Sequence, residues 1–271
     1  MVAPSSREID AVAGSVRSAD GTRIGFMRVG AGPALVIVPG SLSTNLDWRR
    51  AASLLSDRFA CCVMDRRGRG MSDDAPAYEL RREAEDVAAV LETAGPGASL
   101  LGHSFGAICA LEAAIGRAVP RLVLYEPPLP VAGPVADAGL AAYGEAVAAG
   151  RLDGALELGL ARFVRLPPEQ ITVMRQTSIW PYLRELAASW TRELEAIDAL
   201  GASVERYRAI ACPVLLLLGA ESAAHPFREA TAALARSLPD AHVTILPGQA
   251  HGANRLAPDM IADEVAAFLS R

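Results

Sequence analysis

The sequence lacks the features that mark membrane proteins, nucleic-acid binders and metal-bound domains. Its aliphatic runs, such as residues 214–218, are far too short to cross a bilayer. Basic residues are not in excess, since 26 Lys and Arg and 31 Asp and Glu are mixed along the chain and give a formal net charge of −5. The cysteines number only four, and none has metal-ligand spacing with a histidine. We therefore expect a small-molecule partner, and neither nucleic acid nor a membrane.

The chain start and the remaining composition predict a cytoplasmic protein. "MVAPSSREIDAVAGSV" has no continuous apolar segment behind a basic start, so no secretion signal is indicated. Cys61, Cys62 and Cys109 lie in apolar stretches, and we expect reduced, mostly buried thiols. A length of 271 residues with 51% hydrophobic side chains is enough for one large core with an insertion. The sequence leaves open whether the protein is a monomer or a homodimer.

Short apolar runs alternate with longer helical patterns along most of the chain. The runs are "LVIV" (35–38), "FACCVM" (59–64), "ASLL" (98–101), "LVLY" (122–125), "VLLLL" (214–218) and "VTIL" (243–246). Because they are apolar throughout, they predict strands buried on both faces. The alternation predicts an α/β fold with a doubly wound, mostly parallel sheet. Two more polar segments, at 14–19 and 22–28, flank "ADG" and predict an edge hairpin.

The alternation stops between residues 129 and 208, where helical patterns occur without a convincing strand. We expect a helical cap over residues 129–208, inserted into a core formed by residues 1–128 and 209–271. Helices are predicted near residues 135–149, 152–164, 168–177 and 181–200, with glycine and proline at the breaks. A cap above the strand ends would create a binding site.

A serine between two glycines follows the third of these runs, in "GHSFG" (102–106). This is the GxSxG pattern in the strand-turn-helix context that the pattern requires. Glycines let the chain pass tightly against neighbouring strands, where a β-carbon would clash. Ser104 is therefore the candidate nucleophile, with the helix dipole and backbone amides facing it. A serine that merely caps a helix is the structural alternative.

A serine nucleophile needs a base, and the chain has four histidines. His251 follows the last predicted strand in "PGQAHG", which places it at the carboxyl ends of the strands where ligands bind. Its neutral imidazole can accept the serine proton and return it to a leaving group. The other three histidines are interpreted as structural. His103 lies within the "GHSFG" turn, His225 lies before a predicted helix, and His242 lies at the start of a predicted strand.

The combination of "GHSFG", the order serine, acid, histidine, and "DRRGRGMS" (65–72) resembles the α/β-hydrolase superfamily over essentially the whole chain. "DRRGRGMSDDAPAY", "LGHSFGA", "LVLYEPPLP" and "LPGQAHG" resemble a group of small bacterial, often actinobacterial, hydrolases of largely unassigned substrate. The resemblance implies the α/β-hydrolase fold and no metal or organic cofactor. It also implies a loop-bracing role for Asp65, Arg66, Arg67 and Arg69.

The resemblance also implies an oxyanion hole made of two backbone amides. One belongs to Phe105, directly after the nucleophile, and the other to the loop "PGSLSTNLDW" after the predicted strand at 35–38. Many relatives have His-Gly where this chain has Pro39 and Gly40, so Ser41 is the second donor by position. Leu42 is the alternative donor.

The acid of the triad has two candidates. Relatives usually carry Asp three residues after a glycine that ends the seventh strand, but "LLGAES" places Ser222 there and Glu221 one residue earlier. Glu126 ends the sixth strand in "YEPP", and an acid after this strand is a variant known in the superfamily. A buried glutamate beside a strand end is costly unless it is partnered, and His251 would be its partner. We therefore favour Glu126 and keep Glu221 as the alternative.

Apolar and amphipathic side chains are expected to line the substrate pocket. The candidates are Leu42 and Trp48 beside the oxyanion loop and Trp180 and Trp190 in the cap. The sequence thus predicts a serine hydrolase that cleaves a small, apolar carboxylic ester or lactone through an acyl-enzyme. A cofactor-free lyase, cyclase or C–C hydrolase on the same fold, or a non-catalytic ligand-binding protein, remains the alternative.

Overall fold

The computed structural model describes residues 11–271, which are built around one eight-stranded sheet. The strands are β1 (Val12–Arg17), β2 (Arg23–Val29), β3 (Ala34–Val38), β4 (Ala60–Met64), β5 (Ser99–His103), β6 (Leu122–Tyr125), β7 (Val214–Gly219) and β8 (Ala241–Leu246). Their order is β1-β2-β4-β3-β5-β6-β7-β8. β1 with β2 and β2 with β4 are antiparallel, and all other neighbours are parallel. The predicted hairpin and the mostly parallel α/β sheet are confirmed. Residues 1–10, which hold most of the segment predicted to contain no secretion signal, lie outside the described residues.

Within residues 11–271, ten α-helices surround the sheet and the strand ends. They are α1 (Arg49–Leu55), α2 (Leu80–Ala94), α3 (Phe105–Ala114), α4 (Gly139–Ala148), α5 (Leu152–Arg162), α6 (Pro168–Arg175), α7 (Ile179–Asp198), α8 (Glu229–Ser237), α9 (Ala253–Leu256) and α10 (Pro258–Leu269). No helix of residues 11–271 has the combined length and apolar character that a membrane span requires.

The central strands divide their side chains between two hydrophobic cores. On β3, Leu35 and Ile37 pack into a core with α1 and α10, while Val36 and Val38 pack into a core with α2, α3 and α8. All four side chains are fully buried. This alternation is what a parallel strand covered by helices on both faces requires. The buried Cys61, Cys62 and Cys109 belong to these cores, whereas Cys212 is partly exposed.

β8 differs from the prediction of a strand buried on both faces. It is the last strand of the sheet, and its side chains Val243 and Ile245 are 46% and 49% exposed. An edge strand has a neighbour on one side only, so a helix layer need not cover its outer face. An apolar run alone does not distinguish such a strand from a central one.

Four helices, α4 to α7, lie between β6 and β7, within the predicted insertion at 129–208; we call them the cap helices. The first was predicted to begin near residue 135 but begins at Gly139. The reason is a long-range contact, because the Asp198 carboxylate at the end of α7 accepts hydrogen bonds from the amides of Val135 (2.7 Å) and Ala136 (3.2 Å). Asp137 then has a positive φ of 47°, which is incompatible with a continuous helix.

Candidate active site

Ser104 occupies the sharp turn between β5 and α3. Its backbone has a φ of 54° and a ψ of −128°, a conformation that L-residues rarely adopt. Both flanking glycines are required sterically. A β-carbon on Gly102 would lie 2.5 Å from the Ala107 Cα, and one on Gly106 would lie 2.3 Å from the Val38 carbonyl oxygen. The turn thus holds the Ser104 side chain at the strand ends, at the amino terminus of α3.

His251 connects Ser104 to Glu126 through two hydrogen bonds. Its Nε2 lies 3.0 Å from Ser104 Oγ, and its Nδ1 lies 2.6 Å from Glu126 Oε2. The carboxylate can only accept, so Nδ1–H donates to it and leaves Nε2 to accept from the serine hydroxyl. The Glu126 side chain is fully buried. The structure therefore brings together the three side chains that the sequence singled out first.

Glu126 is held by three further features. Its φ is 49°, so the chain turns sharply at the end of β6 and directs the side chain towards β7. Its Oε1 accepts from the Gly219 amide (2.7 Å) and from the Ser222 hydroxyl. Ser222 occupies the position where relatives carry the acid, and here it hydrogen-bonds the glutamate that comes from β6. The alternative Glu221 is exposed and has no side-chain hydrogen bond within residues 11–271, so the structure does not bring it to His251.

The loop that carries His251 is fixed from below by β5 and β6. The Nε2 of His103 lies 3.1 Å from the His251 carbonyl oxygen and must donate to it. The Tyr125 hydroxyl donates to the Ala250 carbonyl and accepts from the Ala253 amide at 3.1 Å. Burial lowers the pKa of His103 well below its ordinary value, and the neighbouring His251 lowers it further, so His103 stays neutral. The structural role expected for His103 agrees with these contacts.

Phe227 was not among the predicted site residues, yet its ring stacks on the His251 imidazole with a centroid distance of 4.2 Å and an interplanar angle of 20°. Phe227 precedes α8 in a single helical turn, Ala224–Arg228. Nothing in "AHPFR" alone indicates a neighbour more than twenty residues away. His225, in the same turn, contacts Glu229 (2.9 Å) and the Pro134 carbonyl (3.2 Å), away from Ser104. His242 is exposed beside Asp240.

Two candidate oxyanion donors lie beside the serine. Phe105 is the first residue of α3, and Ser41 belongs to the loop of residues 39–44, which we call the β3 loop. Within residues 11–271, neither the Ser41 nor the Phe105 amide has a hydrogen-bond partner. A β-carbon on Gly40 would lie 2.8 Å from Ser104 Cβ, so glycine allows the β3 loop to approach the elbow. Leu42, the alternative donor, has a φ of 51° and lines the cavity.

The "DRRGRGMS" segment is a buried brace. Asp65 accepts hydrogen bonds from the amides of Asn45 (2.6 Å) and Met71 (2.9 Å). Arg67 forms an ion pair with Asp86 at 2.7 Å, and its side chain is fully buried. These contacts hold loops together and do not face Ser104. Arg66 and Arg69 are also buried and contact the β3 loop.

A cavity of about 200 Å³ opens beside Ser104 and His251 under the cap helices. Its walls are mostly aliphatic and aromatic, and Arg255 is its one cationic side chain within the described part of the chain. The main apolar residues of the lining are Leu42, Leu160, Phe163, Met174, Leu183, Trp190, Leu194, Ile197 and Phe227. Two predicted pocket residues, Leu42 and Trp190, are therefore among its walls.

Trp48 and Trp180 do not line this cavity, which corrects the prediction. Trp48 is fully buried in the core shared with α1 and α10, because the Thr44 capping box starts a helical turn that directs it inward. Trp180 lies within the cap, where its Nε1 donates to Asp153 at 2.7 Å.

Within residues 11–271, no group of three or more His, Cys, Asp or Glu side chains is arranged to hold a metal ion.

The strand order, the sharp turn at Ser104 and the loop that carries His251 together define an alpha/beta hydrolase architecture. A model of the alpha/beta hydrolase family matches residues 35–264, and the chain belongs to this family. It is 30% identical over 250 residues to 2-(acetamidomethylene)succinate hydrolase of Mesorhizobium japonicum, with 89% of each chain covered. It is 40% identical over 129 residues to N-formylmaleamate deformylase of Pseudomonas putida, with 45% of this chain and 47% of that protein covered. The structure of an alpha/beta hydrolase from Sphaerobacter thermophilus superposes with a TM-score of 0.86 at 34% identity, and covers 94% of this chain and 100% of that one.

Proposed function

We propose that the protein hydrolyses a small carboxylic ester or lactone through an acyl-enzyme, with Ser104 as nucleophile, His251 as base and Glu126 as the acid. The observation that carries the proposal is the continuous chain of hydrogen bonds from Ser104 Oγ through both His251 nitrogens to Glu126. The cavity next to it is small and mostly apolar, which suits an apolar acyl group or ring.

The geometry supports a two-step reaction. As Ser104 Oγ bonds to the acyl carbon, its proton passes to His251 Nε2, and the Ser41 and Phe105 amides stabilise the negative oxygen of the tetrahedral intermediate. Collapse of the intermediate breaks the acyl–oxygen bond, and the leaving alkoxide takes the proton from Nε2. Water then attacks the acyl-enzyme with the same base, which releases the carboxylic acid and free Ser104. Glu126 stabilises the imidazolium in both steps.

Hydrolysis of an amide bond is the second candidate, and the names of two relatives favour it. One relative is named for a substrate that contains an acetamido group, and the other is a deformylase of N-formylmaleamate. The same serine, histidine and oxyanion donors serve both reactions, because the tetrahedral intermediates are alike and only the leaving group differs. A lyase or cyclase would use the fold without hydrolysis, and a C–C hydrolase would need a carbon leaving group in place of the alkoxide. A ligand-binding protein would not need Ser104 hydrogen-bonded to His251.

A fluorophosphonate probe and a panel of p-nitrophenyl esters, lactones and matched N-acyl anilides test the proposal. Wild-type protein should be labelled on Ser104 and should turn over esters or lactones faster than the anilides with the same acyl group. Ser104→Ala should abolish labelling and lower turnover by at least about a thousandfold, because it removes the nucleophile.

Circular dichroism should show that the Ser104→Ala variant keeps its helix content. Turnover by this variant within about tenfold of wild type would contradict the acyl-enzyme mechanism. Faster cleavage of the anilides would instead establish the amide reaction.

A further inference from the structure

The cap helix α7 makes two polar connections to the β3 loop, in addition to providing the cavity wall residues Trp190, Leu194 and Ile197. One connection uses Glu193, which lies between these wall residues in the sequence. The other uses Tyr182, near the start of the helix. Both end on backbone groups of the loop that carries the candidate oxyanion donor Ser41.

The first connection runs through a buried arginine. Glu193 Oε1 accepts from Arg66 Nη2 at 2.9 Å and also from Arg69. Arg66 in turn donates from Nε to the Pro39 carbonyl (3.0 Å) and from Nη2 to the Gly40 carbonyl (3.1 Å). Its guanidinium lies 4.8 Å from the centroid of the Phe105 ring. One arginine therefore touches the residues on both sides of the oxyanion hole, and its cap partner is Glu193.

The charges of this connection are fully buried, since the side chains of Arg66 and Glu193 are both 0% exposed. Burial alone would raise the pKa of Glu193, but the adjacent Arg66 and Arg69 guanidinium groups lower it overall, so Glu193 is a carboxylate. A buried ion pair is weak as a source of stability, because well-packed apolar residues of similar volume often do as well. Its physical effect here is directional, because it fixes where the Gly40 carbonyl lies.

The second connection is independent of these charges. The Tyr182 hydroxyl accepts from the Thr44 amide at 3.0 Å, lies 2.9 Å from Thr44 Oγ1, and donates to Asp47 Oδ2 at 2.7 Å. Asp47 Oδ1 accepts from Arg255 Nε at 2.8 Å, and Arg255 Nη2 donates to the Leu42 carbonyl at 3.3 Å. The far end of the β3 loop is thus held from α7 as well.

We propose that α7 is part of the oxyanion machinery, with Glu193 and Tyr182 as positioning residues that hold the β3 loop so that the Ser41 amide faces the reacting oxygen. The inference rests on the proposed acyl-enzyme function. An oxyanion donor acts only if it is held within hydrogen-bond distance of the oxygen in the transition state. Loss of either connection should therefore lower kcat with little change in KM, even for a substrate too small to touch the cap.

Tyr182→Phe tests the second connection, and Tyr143→Phe is its matched control. Tyr143 is another cap tyrosine and is fully buried, but its hydroxyl donates to the Ala187 carbonyl at 2.7 Å, inside the cap, and it does not line the cavity. With p-nitrophenyl acetate, Tyr182→Phe should lower kcat about tenfold, a fraction of the 10²–10³ lost when an oxyanion donor is removed. Tyr143→Phe should lower the Tm but keep kcat.

Glu193→Gln tests the first connection, which runs through Arg66, and Glu83→Gln is its matched control. Glu83 is also buried and accepts from Arg66 at 2.9 Å, but it belongs to α2 and not to the cap. We expect Glu193→Gln to lower kcat more than Glu83→Gln does, with circular dichroism to confirm that both variants fold. If Glu193→Gln does not fold, Tyr182→Phe decides the question alone.

The rate of Ser104 labelling by a fluorophosphonate gives a second readout, because phosphonylation also places a negative oxygen in the oxyanion hole. It should fall in parallel with kcat in Tyr182→Phe. If kcat and the labelling rate stay within twofold of wild type while only the Tm falls, the two residues are structural and the inference is overturned. Equal losses in Tyr143→Phe would overturn it too. Failure of every ester and lactone would refute the proposed substrate class and leave the labelling ratio to decide the positioning role.

Discussion

Glu126 reaches the His251 imidazole from β6, a strand earlier than the position where relatives carry the acid. The residue at that usual position, Ser222, donates its hydroxyl to Glu126 Oε1, and the Gly219 amide donates to the same oxygen. Two donors on one carboxylate oxygen leave the other oxygen, Oε2, to face Nδ1 of His251. This arrangement fixes both the carboxylate and the imidazole tautomer.

We predict that Glu126→Gln lowers turnover by about 10⁴-fold, the scale seen when the acid of a catalytic triad becomes its amide. The amide keeps the volume of the side chain but can present an N–H to Nδ1, which favours the wrong tautomer of His251. Steady-state kinetics on the best ester of the panel measures the effect, with circular dichroism as the check on folding.

Glu221→Gln is the matched control for this change, because it removes one negative charge from an exposed residue that follows β7. It should leave turnover within about twofold of wild type, as surface substitutions away from the site normally do. A collapse of activity in Glu221→Gln together with a small loss in Glu126→Gln would show that the acid follows β7 and not β6.

At the scale of single residues, the sequence predicts the position of a side chain where a local backbone motif fixes it. It does not predict that position where packing against distant residues fixes it. Ser104 could be found because glycines at 102 and 106 are sterically required by the turn. Trp48 could not be placed, since its closeness to the β3 loop in sequence says nothing about the inward turn set by the Thr44 cap. The Phe227 contact with His251 depends on the packing of α8 and has no local signal.

Among the elements, the cap helix α7 carries two tryptophans with different surroundings. Trp190 faces the cavity and packs edge-on against Tyr143 and Phe163, with ring centroids 5.6 Å apart in both pairs. Trp180 points into the cap and binds Asp153. Both are almost fully buried, so substitution of either should cost stability, but only one should reach the substrate.

We predict that Trp190→Leu enlarges the cavity and shifts preference towards longer acyl chains. The ratio of kcat/KM for a hexanoate to that for an acetate ester should rise about tenfold, as expected when a pocket gains room for extra methylenes. Trp180→Leu should lower the Tm without changing this ratio. A parallel change in the two variants would show that the cap affects selectivity only through its stability.

The ends of strands and helices show why local sequence patterns predict only part of the fold. The strand predicted at 98–101 continues to His103, because Gly102 and His103 pair with Leu124 and Tyr125 of β6. The cap helix predicted from 135 is shortened by Asp198, more than sixty residues away. Apolar periodicity therefore identified the strands and the cap helices and their order along the chain, whereas their ends are set by contacts that only the folded chain makes.

At the scale of the whole molecule, the cap helices share one of the two hydrophobic cores with the sheet. Trp190, Leu194 and Tyr143 of the cap belong to the same cluster of buried side chains as Val36 and Phe105 beneath them. The chain contains no lysine, so all its permanently cationic side chains are arginines. A guanidinium has five donors, which lets Arg66 bind two carboxylates and two carbonyls at once. Apolar packing and the hydrogen bonds of Arg66 therefore both join the core to the cap.

The buried His103 makes the free energy of unfolding depend on pH. Burial, reinforced by the nearby His251, lowers the pKa of His103 well below its ordinary 6.5 in the folded state. The unfolded chain therefore binds a proton at His103 at a pH where the folded chain does not. Its contribution to stability is fully present above about pH 6.5 and is lost as the pH falls from there towards the folded pKa.

We predict that wild-type protein loses about 1.4 kcal/mol more unfolding free energy than His103→Gln between about pH 7.5 and about pH 5.5. Glutamine keeps a terminal N–H for the His251 carbonyl but does not titrate. Urea unfolding at both pH values measures the difference, and His242→Gln, which removes an exposed histidine, is the control and should keep the wild-type pH dependence. If His103→Gln loses as much stability as wild type over this range, His103 does not remain neutral in the folded protein, and the acid sensitivity belongs to other groups.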